Sequence, residues 1–164
     1  MTPTMAVVGL DVSLNRTGMV RLGYDRGDLL AFGVITHLPH AETFDKFNTI
    51  YDQVRDFIQP GDDVAIEGGI SHRSGDVTRK LAGAWAAAVL GALHRLGTHP
   101  MQFGISTVKK CATGNGAALK PAVTAAAVAR WGLIVDDPDL ADAAWTAECG
   151  RLQLLEQFPE GGEG

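Results

Sequence analysis

The first 36 residues carry their apolar positions in short runs. Residues 5–10 (MAVVGL) are apolar and stop at Asp11, and residues 17–24 and 29–36 form two further stretches separated by Asp25, Arg26, Gly27 and Asp28. Runs of this length, bounded by turn residues, predict three strands in an antiparallel meander. The period then changes. Phe44, Phe47, Ile50, Tyr51, Val54, Phe57 and Ile58 recur at steps of three and four, which predicts an amphipathic helix over 42–58, stopped by Pro60-Gly61. Residues 63–67 (DVAIE) read as a short buried strand. A helix is expected from about Asp76 to Leu96, with an Ala/Gly surface suited to close packing on another helix. A last strand is expected over 99–105.

Residues 106–120 contain a loop around Gly114-Asn115-Gly116. Pro121 opens a helix that runs to Trp131 with Gly132 beyond its end, and a final helix begins near Asp137-Pro138 and runs to about Gln157. The expected order is therefore β-β-β-α-β-α-β-α-α, an α/β domain over 1–158 with a mixed sheet. The tail 159–164 (PEGGEG) is expected to be disordered. A right-handed crossover sets the strand at 63–67 parallel to the first strand, so their C-terminal ends lie together.

Composition narrows the class. With 164 residues, 46% hydrophobic and 20% charged, the chain can bury a sizeable core and is neither collagen-like nor wholly disordered. The longest apolar stretch, 81–93, is too short and too rich in Ala and Gly for a membrane span, and no signal peptide is evident. Cys111 and Cys149 lack a metal or redox spacing and read as free thiols, which points to the cytoplasm. Net charge is −5, yet residues 71–130 hold eight Lys or Arg against one acid, Asp76. That basic middle suits either a polyanion-binding face or a solvated helix surface.

The acids carry the chemistry. Asp11 ends the first strand and Glu67 the fourth, so both would project from one sheet edge. Asp139 and Asp142, three apart at a helix start, share a face. Singly, each also fits a turn cap, an edge charge or a first-turn helix acid. Gathered, four carboxylates repel unless cations compensate, and two divalent cations about 3.5–4 Å apart would balance them and activate water for phosphodiester cleavage. A calcium loop over Asp11-x-Ser13-x-Asn15 fails, because Arg16 replaces the required glycine and Leu22 the closing acid.

Four blocks in this order resemble the RuvC family of Holliday-junction resolvases, in the ribonuclease H-like superfamily. They are GLDVSLNRTG (9–18), VAIEGG (64–69), STVKKCATGNGAALKPAV (106–123) and DLADAAW (139–145). The resemblance spans residues 6 to about 150. It implies a ribonuclease H-like fold with a five-stranded mixed sheet flanked by helices, and a homodimer that cleaves four-way DNA with Mg²⁺ or Mn²⁺, two ions per site. By motif position, Asp11, Glu67, Asp139 and Asp142 would be catalytic metal-binding acids, and Lys109 or Lys110, with Lys120, would contact phosphates. Where the family commonly carries an aromatic wedge, this chain has Ile70, followed by Arg73. An apolar Ile70 can also unstack bases. This departure, with the acidic overall charge, fits a phage-encoded or divergent member with broader branched-DNA tolerance and salt-sensitive binding. Alternatives are an RNA-processing nuclease with the same four acids, a non-catalytic branched-DNA-binding module, and an actin-like ATPase, for which 164 residues are too few. His72 and His94 read as structural or exposed, and Trp85 and Trp131 as core or interface.

Overall fold

The computed structural model describes residues 5–68, 75–132 and 135–158. The elements are β1 (Ala6–Asp11), β2 (Thr17–Gly23), β3 (Leu29–Ile35), α1 (Thr43–Phe57), β4 (Asp63–Gly68), α2 (Gly75–Leu96), β5 (Met101–Gly104), α3 (Ile105–Thr113), α4 (Lys120–Trp131) and α5 (Pro138–Gln157). The strands form one mixed sheet in the order β3-β2-β1-β4-β5. The β1–β2 and β2–β3 pairs are antiparallel, as the meander predicts, while β1–β4 and β4–β5 are parallel.

Successive side chains of a strand point to opposite faces, and this alternation divides the core. Val8 and Leu10 of β1 join Val64 and Ile66 of β4, Ile50 and Val54 of α1, and Ala84 and Ala88 of α2 in one buried cluster. Small residues bring α1 and α2 close: a Cβ on Gly91 would lie 2.6 Å from the Tyr51 carbonyl oxygen. The opposite face receives α5. There, a Cβ on Gly9 would lie 1.9 Å from the Ala143 carbonyl oxygen and 2.5 Å from the Ala147 nitrogen. The glycine in the first apolar run thus permits direct backbone contact between β1 and α5. α5 is buried along most of its length, from Leu140 to Arg151 apart from Asp142, because α3 and α4 cover the side that the sheet does not.

The sequence reading differs from the structure in three places. Residues 105–113 form a helix, α3, where only a loop is expected, so there are five helices among the described residues rather than four. The reason is length: this nine-residue helix spans barely two turns, with Val108 buried and Cys111 and Ala112 half-buried beside it, so its helical spacing is too brief to stand out from the loop around Gly114. Phe44 begins the apolar stripe of α1 but is 79% exposed, edge-on to Phe47. The strand expected over 99–105 is shorter, Met101–Gly104. Trp131 packs edge-on against Trp145, in agreement with a core role. Trp85 packs half-buried against the α1–α2 cluster, and His94 is exposed beside Tyr51. Among the described residues no helix is long and apolar enough to cross a membrane. Ile70, His72, Arg73 and the tail 159–164 lie outside the described residues.

Candidate active site

Asp11 and Glu67 stand where parallel register requires. Gly9 pairs with Ala65 and Leu10 with Ile66, so one further step sets Asp11 beside Glu67 at the C-terminal ends of β1 and β4. By alternation both side chains share the face of Gly9 and Ala65, the face that α5 covers. On the other side of β1, Asp11 pairs with Gly18. A Cβ on Gly18 would lie 2.4 Å from the Asp139 carbonyl oxygen. The glycine opposite Asp11 is therefore what lets the start of α5 come down beside the strand ends.

The start of α5 is fixed locally. Asp137 is its N-cap and accepts hydrogen bonds from the backbone N–H groups of Asp139 (3.0 Å) and Leu140 (3.3 Å). Pro138 follows at the first turn, where its missing N–H has no helical partner to lose. One turn of helix then separates Asp139 from Asp142. The sequence reading did not single out Arg16 as a site residue. Its guanidinium pairs with both carboxylate oxygens of Asp137, Nη1 donating to Oδ1 at 2.8 Å, and also donates to Asp139 Oδ2. An arginine just after a strand-ending acid was the available signal, but its partners lie more than 120 residues away.

The electrostatics show that the four acids share one field. Burial holds the Asp11 carboxyl well above the usual carboxylate range, and the charges of Glu67, Asp142 and Asp139 push it the same way. Glu67 is pushed up to about 7, first by burial and then by Asp142. Asp142 is also raised by burial, with Asp139 adding to it and Lys120 opposing. The cations come from the basic middle of the chain. Lys120, at the start of α4, places Nζ 3.1 Å from Asp142 Oδ2. Lys109 of α3 lowers the proton affinity of both Glu67 and Asp142, whereas Lys110 is exposed. The Gly114–Leu119 connection sets these two lysines on one site. α3 ends on Gly114 in the left-handed region (φ 80°), and the Asn115 side chain accepts from Ala117 N at 2.9 Å to hold the turn.

Among the described residues, no three His, Cys, Asp or Glu side chains form a ready-made metal cage. Oxygens of Asp139 and Asp142 are instead taken by Arg16 and Lys120. The donor set nevertheless fits a hard divalent cation, because it consists of carboxylate oxygens whose mutual repulsion such an ion would relieve. Asp11 and Glu67 open onto a groove of about 710 Å³, also lined by Asn15, Lys46, Lys80 and Trp85. Elsewhere, Cys111 of α3 and Cys149 of α5, 38 positions apart, lie in one core cluster, and both are free thiols.

Comparison with known proteins bears on the same features. The family model described as "Crossover junction endodeoxyribonuclease RuvC" matches residues 7–147. The crossover junction endodeoxyribonuclease RuvC of Corynebacterium diphtheriae is 34% identical over 159 residues, covering 90% of this chain and 96% of that protein. That of Maricaulis maris is 32% identical over 129 residues, covering 76% and 77%. Among solved structures, Thermus thermophilus RuvC aligns with a TM-score of 0.73 at 21% identity, over 94% of this chain and 96% of that one. The same protein in complex with a Holliday junction substrate aligns with a TM-score of 0.74 at 23% identity, over 91% and 96%. These likenesses show the ribonuclease H-like fold that the four sequence blocks imply. With the family model spanning both strand-end acids and the start of α5, the chain belongs to the RuvC family of crossover junction endodeoxyribonucleases.

Proposed function

We propose that this protein is a metal-dependent endonuclease that cleaves four-way or other branched DNA, with Asp11, Glu67, Asp139 and Asp142 as the acids of its site. The observation that carries this reading is the juxtaposition of Asp11, Glu67 and Asp142, each held above its ordinary proton affinity, with Lys109 and Lys120 beside them. Carboxylates so arranged would bind Mg²⁺ or Mn²⁺, two ions per site. Divalent ions there supply Lewis acidity for the scissile phosphate and favour deprotonation of the attacking water. Attack forms a new phosphorus–oxygen bond and breaks the bond to O3′, leaving a 5′-phosphate and a 3′-hydroxyl.

The chain's own residues do the rest. Lys109 and Lys120 bring positive charge to the edge of an acidic site, where a phosphate would otherwise be repelled. Lys110 and Arg73 would extend the contact to flanking phosphates, and Ile70 would act as an apolar wedge at the junction centre. A homodimer would set two sites against two strands of a symmetric junction. The exposed face of α2 around Leu90 suits that interface, since Leu90, Leu93 and Tyr51 form an apolar recess. The cytoplasm is the proposed location, in keeping with two free thiols.

The test uses end-labelled four-way junction, Y-fork, linear duplex and RNA–DNA hybrid, each incubated with Mg²⁺ or Mn²⁺ at low salt, with Glu67→Gln as control. Paired symmetric nicks in the junction, absent from the control, are expected. Preferential cutting of the hybrid would transfer the same acids to an RNA-processing role. Tight junction binding without cutting under either metal would leave a binding module.

A further inference from the structure

Arg16 bridges two carboxylates with different tasks. It lies between β1 and β2, five residues past Asp11, and forms a two-pronged pair with Asp137 while also donating to Asp139. Asp137 has a structural role as the cap of α5. Asp139 is one of the four acids proposed to hold metal. A guanidinium on Asp139 takes up an oxygen lone pair and places a positive charge where a divalent cation would have to approach. The bridge is accessible from solvent: the Arg16 side chain is 38% exposed, Asp137 27% and Asp139 25%. It lies in plain reach of an incoming ion, unlike the pair of Arg151 with buried Glu148, which are 8% and 2% exposed.

We propose that Arg16 is a displaceable counter-ion for Asp139. It holds that carboxylate in the metal-free chain, yields it when a divalent cation arrives, and stays anchored on Asp137. The inference rests on the metal-dependent reading above and adds to it a residue that regulates entry to the site. Two features of the geometry support it. The two-pronged bond to Asp137 persists when the single bond to Asp139 is given up, so the exchange releases no stranded charge. Without Arg16, Asp137 and Asp139 would lie as neighbouring unpaired carboxylates in the first turn of α5, whereas Asp142 keeps Lys120, so the counter-ion also offsets the repulsion between those two. Arg16 is in this sense a positioning residue that acts through Asp139.

The experiment is calorimetric titration of Mn²⁺ into the full chain without DNA, comparing the native protein with Arg16→Gln and Asp137→Asn, each first shown to be folded by its helical circular dichroism. Arg16→Gln is expected to bind Mn²⁺ about fivefold more tightly, the range of a partly exposed ion pair removed from competition. Asp137→Asn is expected to bind more weakly. Asparagine keeps the cap on α5 but removes the charge that anchors Arg16, leaving the guanidinium to Asp139 alone. A purely structural Arg16 would move both variants the same way or neither. Equal affinity in all three proteins, shifts of the same sign, or weaker binding by Arg16→Gln would overturn the proposal and leave the metal-dependent reading intact. No Mn²⁺ binding by any of the three, native protein included, would overturn both.

Discussion

Lys120 Nζ stands 3.1 Å from Asp142 Oδ2, joining the first residue of α4 to the start of α5 across the acid cluster. Burial alone would lower the proton affinity of this lysine. The charges of Asp142, Asp11 and Asp139 outweigh it and raise the affinity, so Lys120 stays cationic. The same charge lowers the proton affinities of Asp11, Glu67 and Asp142 in return.

Lys120→Met should therefore raise the pH needed for cleavage. With the opposing cation gone, Glu67, already at about 7, is protonated over a wider range of pH. Activity at pH 7 should fall by about tenfold or more, the equivalent of one pH unit in the required ionisation, with partial recovery at pH 9. Lys120→Arg should keep the midpoint near that of the native protein. A pH–rate profile of junction cleavage reads this directly, and an unmoved midpoint in Lys120→Met would show that Lys120 does not act on these acids.

Glu67→Gln should stabilise the metal-free protein while abolishing cleavage. A carboxyl whose folded affinity is raised binds its proton more tightly in the folded state. Its destabilising effect is absent below the unfolded value of 4.5, grows as pH rises, and is complete above about 7. The variant should gain on the order of 1–2 kcal/mol over the native protein at pH 8, after allowance for solvent screening, and much less at pH 5. Urea unfolding at the two pH values, with chelator present, measures the difference.

Divalent cations should reverse that penalty. Mg²⁺ or Mn²⁺ binds the ionised carboxylates, so its stabilising effect should be large at pH 8 and small at pH 5.5, where Glu67 holds its proton and the raised proton affinity of Asp11 acts in the same direction. Thermal midpoints with and without chelator test this. Asp11→Asn should lose most of the shift; an equal shift in that variant would place the ion elsewhere.

Gly9→Ala should cost more in stability than any change in the acids. Its Cβ would meet the Ala143 carbonyl oxygen at 1.9 Å and the Ala147 nitrogen at 2.5 Å, both backbone atoms of a buried helix. A loss of about 3 kcal/mol or more is expected, since overpacking here must displace α5. Gly18→Ala, at 2.4 Å from the Asp139 carbonyl oxygen, acts at the less enclosed end of the same helix. It should lose less stability but move Asp139, so cleavage should fall further than the folded fraction does.

Leu90→Glu should weaken self-association. Leu90 is 54% exposed beside the recess formed with Tyr51 and Leu93. A charge there opposes burial against a second copy. Sedimentation at several concentrations should show a dimer for the native chain and a monomer for the variant. Junction binding should weaken with it, while metal affinity remains.

The sequence by itself determined the strands, because each apolar run has a strand's length and ends at a turn residue or an acid. It determined the placement of Asp11 and Glu67, because a right-handed crossover leaves parallel strand ends side by side. It also determined the start of α5, where Asp137-Pro138 is both cap and first turn. Each of these is a local pattern, or a local pattern joined to one rule of chirality. The tertiary structure alone decided what depended on distant partners. α3 spans barely two turns, too short for its helical spacing to mark it in advance, and it is held by packing Val108, Cys111 and Ala112 against α4 and α5. Lys109 rather than Lys110 turns toward the acids because α3 packs on α5 in one orientation. Arg16 meets Asp137 and Asp139, and Cys111 meets Cys149, because the chain returns α5 to the sheet beside β1. Periodicity records which face of an element is buried; which charged or polar groups that burial brings together is set by packing across the whole chain.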